Sequence, residues 1–89
     1  MLQQTDIKDI QNITDLKEFS KDFVSGECKS LAELAADQYF RLLDSYVVYK
    51  PVFDFAQGKT VEVINQKEYK GLKFVLPGFL HVQVVRYKN

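Results

Sequence analysis

Between Ser30 and Tyr49 the polar residues Glu33, Asp37, Arg41 and Asp44 recur three or four positions apart, while nearly every other side chain is apolar. That spacing is the period of an α-helix, and it predicts one with a single narrow polar stripe. Leu31, Leu34, Ala35, Tyr39, Leu42, Leu43 and Tyr46 form a broad face that Ala32, Ala36, Phe40 and Val47 extend further. A surface helix buries a stripe of roughly 100°. This one is therefore expected to be the central helix, covered on two sides by the rest of the chain or by a second copy. Ser30 followed by Glu33 has the form of a capping box, and Pro51 forbids continuation. The helix is expected to end near Val47, with an earlier end at Asp44 and a strand from Tyr46 as the alternative.

A second helix is predicted before it, from Asp15 to about Val24, with Leu16, Phe19 and Phe23 on one face. Residues 1–12 are polar apart from Leu2, Ile7 and Ile10, and fit a frayed tail, a first strand or a short helix. Beyond Pro51 the period changes to two. Phe53 and Phe55 alternate with Val52 and Asp54, and Val61 and Val63 with Thr60 and Glu62, so both stretches read as strands. Pairing Phe55 with Val61 and Phe53 with Val63 keeps their apolar faces together and leaves Gln57, Gly58 and Lys59 as the loop. This register puts Asp54 opposite Glu62. Glu68 to Leu76 reads as a third strand with a β-bulge at Gly71. Pro77-Gly78 has type II turn residues, and Phe79 to Tyr87 forms the last strand. Leu76 opposite Leu80 and Phe74 opposite Val82 would align those two strands.

These elements predict an α+β domain spanning residues 1–89, with two N-terminal helices packed on one face of a C-terminal antiparallel meander of about four strands. Eighty-nine residues hold one core, with stability on the order of 5 kcal/mol. No apolar run approaches the roughly 18 residues of a membrane span, and no leader-like h-region appears in the first thirty residues. The single Cys28 cannot make an internal disulfide, which points to a reducing, cytoplasmic setting. Charge is balanced overall but split along the chain. Residues 1–45 hold five basic and nine acidic side chains, and residues 46–89 hold seven and three. Such a split steers charged partners or simply reflects two solvated faces that attract each other.

The chain has no phosphate-binding glycine loop, no nucleophile elbow and no paired-cysteine or HExxH metal motif. Its one thiol–imidazole couple, Cys28 and His81, falls on separate elements that nothing in the sequence brings together. No cofactor or metal is expected, and the chain is not expected to be an enzyme. Tyrosine and phenylalanine count for more as contact residues. Phe79 lies at the turn beside Pro77, so the expected partner-binding residues are Phe79, Pro77, Lys73, His81 and Tyr87.

The resulting expectation is a small protein-interaction module, an inhibitor, antitoxin-like protein or adaptor that occupies a partner protein's surface, with homodimerisation through the central helix compatible. The alternative is a nucleic-acid-binding regulator using Lys59, Lys67, Lys70, Lys73, Arg86 and Lys88, interleaved with Tyr69 and Tyr87.

Overall fold

The computed structural model of the protein describes residues 16–55, 58–66 and 68–88. Expectations for residues 1–12, for Asp15 and for Gln57 and Lys67 lie outside these residues. One helix, α1 (Leu16–Asp22), leads into β1 (Phe23–Ser30) and a single 3-10 turn (Leu31–Glu33). The remaining elements are β2 (Tyr39–Leu42), β3 (Val48–Phe55), β4 (Gly58–Val63), β5 (Lys73–Pro77) and β6 (His81–Tyr87). The six strands form one curled antiparallel sheet, a half-barrel, in the order β1-β6-β2-β3-β4-β5. The expected α+β arrangement of two helices on a four-stranded meander is therefore overturned. The chain is mainly β.

The central helix is where the expectation fails. Residues 30–49 contain the 3-10 turn, β2 and the start of β3. Along β2 the side chains alternate, with Phe40 and Leu42 inside the curl and Tyr39 and Arg41 on the outer face. Val48 then packs outward and Tyr49 inward. A strand buried on both faces is apolar in every direction, as is a buried helix, so the composition matches either. The polar residues owe their helix-like spacing to turns: Glu33 closes the 3-10 turn, and Asp37 and Asp44 sit in the turns flanking β2. The capping-box contact forms in miniature. The Ser30 amide donates to Glu33 Oε2 at 3.3 Å, and Leu34 N–H donates to Leu31 C=O at 3.2 Å. With no central helix, homodimerisation through it has no structural basis.

Two packed layers hold the sheet. Inside the curl, Phe40, Tyr49, Val61, Val63 and Val82 are fully buried, with Leu31 and Leu34 capping them from the 3-10 turn. On the outer face Phe19 of α1 and Phe23 at the start of β1 pack with Val48 and Val85. Their rings stack at 5.6 Å, and Phe19 meets Tyr46 at 5.4 Å. The helix is shorter than expected because Phe23 and Val24 already belong to β1. One end of the curl is shut: Leu31 N–H donates to Leu80 C=O at 2.7 Å and Ala32 N–H to Gly78 C=O at 2.9 Å.

Registers depart from expectation in three places. In the β3–β4 hairpin Tyr49 opposes Val63 and Pro51 opposes Val61, with a bulge between Pro51 and Phe53. The bulge moves Tyr49 and Pro51 onto the inner face in place of Phe53, and Gly58 and Lys59 lie in β4 rather than in the loop. Asp54 consequently faces Lys59 instead of Glu62. Next, residues 68–71 form a turn rather than strand. Gly71, at φ 91°, donates to Val63 C=O, while Val63 N–H donates to Leu72 C=O, both at 3.0 Å. The expected irregularity at Gly71 is present, at the entrance to β5 and not within it. Last, β5 and β6 are not neighbours, because β6 inserts between β1 and β2. Leu80 N–H donates to Pro77 C=O at 3.2 Å, so Gly78 and Phe79 are the central turn residues, and neither has the positive φ of a type II turn.

Candidate functional site

β5 closes one edge of the sheet, and its backbone directions follow from its pairing. Val63 and Leu72 share a hydrogen bond, and in an antiparallel ladder every second pair exchanges bonds. Stepping by two, Phe74 opposite Val61 and Leu76 opposite Lys59 aim their N–H and C=O at β4. Lys73 and Val75 therefore aim theirs away from the sheet. Among the described residues no backbone group pairs with them.

Side chains around this edge form rows on the outer face. Phe53, Thr60 and Val75 lie opposite one another across β3, β4 and β5, and so do Lys50, Glu62 and Lys73. Val75 is 65% exposed and Phe53 62%, large values for apolar side chains in a sheet. In the second row Lys50 lies 3.9 Å from Glu62, and neither Lys70 nor Lys73 makes an ion pair among the described residues. Pro77 ends the edge, and Phe79, at 80% exposure, projects from the turn that follows.

The structure separates the sequence-derived partner residues. Lys73, Pro77, Phe79 and His81 follow one another along β5, its turn and the start of β6, with His81 exposed opposite Ser30. Tyr87 stands at the far end of β6, roughly 20 Å from His81 at strand rise. There its ring packs 4.7 Å from Phe23 and edge-on to Tyr39 at 5.4 Å. Its phenol is pushed above the ordinary value, first by burial and then by Tyr39 and Asp22. A shallow cleft of about 290 Å³ opens beside it, lined by Asp37, Tyr39, Arg86 and Tyr87.

The cationic set is scattered. Lys59 is 3% exposed and donates to Leu34 C=O at 3.0 Å and Asp54 Oδ1 at 2.8 Å, so its charge does not face solvent. Arg86 and Lys88 lie at the end of β6, four strand steps from β5, or about 19 Å along the sheet at usual strand spacing. Cys28 and His81 come onto the same face of adjoining strands at diagonal positions, since Cys28 opposes Gln83 and Ser30 opposes His81. Both are exposed, and among the described residues no hydrogen bond joins them. No group of three or more His, Cys, Asp or Glu among the described residues could hold a metal ion.

Val75 is the site residue that sequence reading left out. Its signal was present, because Val75 falls between Phe74 and Leu76 and so points to the opposite face. Its importance depends on β5 being an edge strand, which only the long-range pairing reveals.

Among the described residues no helix is long and apolar enough to cross a membrane. Comparison with protein-family models, with curated proteins and with solved structures found no match to the chain.

Proposed function

We propose that this chain is a non-enzymatic protein-interaction module, acting as an inhibitor, antitoxin-like protein or adaptor, that takes an extended segment of a partner protein as an added strand along β5. The observation that carries this reading is the free β5 edge, where the outward N–H and C=O groups of Lys73 and Val75 lie beside a 65% exposed valine side chain. Unpaired edge groups are a template for another chain, and strand addition uses the main chain for affinity and alternate side chains for specificity. Phe53, in the same outer-face row as Val75 two strands in from the edge, and Phe79 beyond Pro77 add exposed apolar surface near it. The exposed, unbridged Cys28 supports a reducing cytoplasmic setting. Nucleic-acid binding has weaker support, since Lys59 is buried and the other described cations of that set are divided between Lys70 and Lys73 around the start of β5 and Arg86 and Lys88 around the end of β6.

A random-peptide display library panned against the wild-type chain tests the proposal. Val75→Pro is the diagnostic variant: its N–H points away from β4, so proline removes no ladder bond yet blocks strand addition. Val75→Thr, which keeps the N–H, is the control. Peptides that bind wild type and Val75→Thr but not a folded Val75→Pro support the reading. Peptides that bind all three equally overturn it.

A further inference from the structure

We infer that the segment accepted by β5 carries an acidic residue two positions from an apolar residue, with a second apolar residue between them; this rests on the strand-addition reading above. The two outer-face rows continue onto any strand added at the edge. A residue opposite Lys73 extends the row Lys50, Glu62, Lys73, and one opposite Val75 extends the row Phe53, Thr60, Val75. Directly opposed residues on one face bring their Cβ atoms to about 5 Å and interact in pairs. The first row runs positive, negative, positive. Glu62 already lies 3.9 Å from Lys50, whereas Lys73 and the nearby Lys70 make no ion pair among the described residues. A carboxylate opposite Lys73 completes the alternation.

The second row asks for an apolar side chain, because Val75 and Phe53 are both well exposed there. Alternation puts the intervening residue on the inner face, opposite Phe74. Phe74 is half-buried and packs on the inner core, edge-on to Tyr49 at 6.4 Å, so an apolar residue fits beside it. The edge reads three residues and no more, since Pro77 has no N–H and its C=O already accepts from Leu80.

A second copy of this chain meets the same edge less well. A two-fold axis at Phe74 satisfies the outward groups of Lys73 and Val75, but it sets each Lys73 against the other copy's valine and leaves both lysines without an acid. An acidic–apolar partner segment satisfies both requirements.

The probe is a fluorescein-labelled heptapeptide, Thr-Glu-Val-Val-Val-Glu-Thr, which places a glutamate opposite Lys73 and a valine opposite Val75 in either strand direction. Fluorescence anisotropy compares it with the same peptide carrying lysines for glutamates, against wild type, Lys73→Glu and Val75→Pro. The glutamate peptide is expected to bind wild type about fivefold or more tightly than the lysine peptide, with the preference reversed in Lys73→Glu. Val75→Pro, folded by circular dichroism, is expected to lose both. Equal binding of the two peptides overturns the acidic assignment and leaves strand addition standing. Unchanged binding to Val75→Pro overturns strand addition itself. Failure of both peptides, together with concentration-dependent dimerisation that Val75→Pro abolishes, overturns the partner assignment in favour of a second copy. Failure of both without such a dimer overturns the acidic–apolar assignment.

Discussion

The ammonium group of Lys59 lies 2.8 Å from Asp54 Oδ1, yet the two side chains occupy opposite environments: that of Lys59 is 4% exposed and that of Asp54 71%. Lys59 runs inward from β4 and also donates to Leu34 C=O at 3.0 Å, tying the chain after the 3-10 turn to the sheet. The carboxylate in water contributes little, whereas the buried stem and the Leu34 carbonyl depend on the lysine. Lys59→Ala is expected to cost about 2–3 kcal/mol and Lys59→Met, which keeps the stem, about 1–2. Asp54→Ala is expected to cost less than about 1 kcal/mol. Urea denaturation of the three variants reads the order directly.

Tyr49 is fully buried against Phe40 and Phe74, and its hydroxyl has no hydrogen-bond partner among the described residues. Removing an unsatisfied buried hydroxyl without changing the ring gives back its desolvation cost, so Tyr49→Phe is expected to stabilise the fold by about 1 kcal/mol. The phenol is pushed well above its ordinary value near 10, first by burial and then by Asp44. The folded state therefore keeps the proton where the unfolded state loses it. The wild-type stability is unaffected by this group below about pH 10 and declines as pH rises from about 10 toward the folded value. Melting temperatures of wild type and Tyr49→Phe measured from pH 8 to 11 should diverge at the alkaline end, with wild type falling faster.

Two glycines are required for different reasons. A Cβ at Gly58 would run into the Leu76 carbonyl of β5, so close approach of β4 to β5 demands glycine. Gly71 has open space around it, but its φ of 91° lies where L-residues are strained. Gly58→Ala is expected to cost about 3 kcal/mol or more through backbone displacement, and Gly71→Ala about 1–2 through conformation alone. Gly71→Asn, which tolerates positive φ better, should recover part of that loss in the same denaturation assay.

Arg41 holds the turn between β2 and β3. Its Nη1 donates to the carbonyls of Leu42, Leu43 and Ser45 at 3.0–3.3 Å, and its guanidinium sits 4.5 Å from the Tyr46 ring centroid. Lysine keeps the charge but loses the planar fork and the stacking surface. Arg41→Lys is expected to cost about 1–2 kcal/mol and Arg41→Ala about 2–3, both measured by thermal unfolding.

Some local patterns along the chain read correctly, whereas the hairpin register at Phe53, the strand through residues 68–71 and the type II turn at Pro77-Gly78 do not. Phe19 and Phe23 mark the buried face near α1, Gly71 marks the irregularity before β5, and Val82 and Val84 mark the inner face of β6. The stretch from Ser30 to Val48 misleads because Asp37 and Asp44 are turn residues whose spacing imitates a helical stripe. Its strands are also buried on both faces, which erases the two-fold alternation. The order of strands depends on pairings between distant segments, and no local signal shows that β6 leaves β5 to join β1 and β2. The candidate site follows the same division. Phe79 and Lys73 are visible as exposed residues near a turn, whereas Val75 acquires meaning only once β5 is known to be an edge.

The position of β6 also sets the sequence of events in folding. β2 to β5 pair as successive hairpins and can assemble from near neighbours, but β1 has only β6 as a strand partner, with Phe23 meeting Tyr87 across almost the whole described chain. Closing that long loop is slow compared with forming hairpins. The arrival of β6 is therefore expected to limit the rate, because it completes the sheet, gives β1 its partner and fixes α1 in place. Until then the nascent molecule carries two uncovered edges at β1 and β2 in addition to β5, and that interval is when it is most exposed to mispairing with other chains.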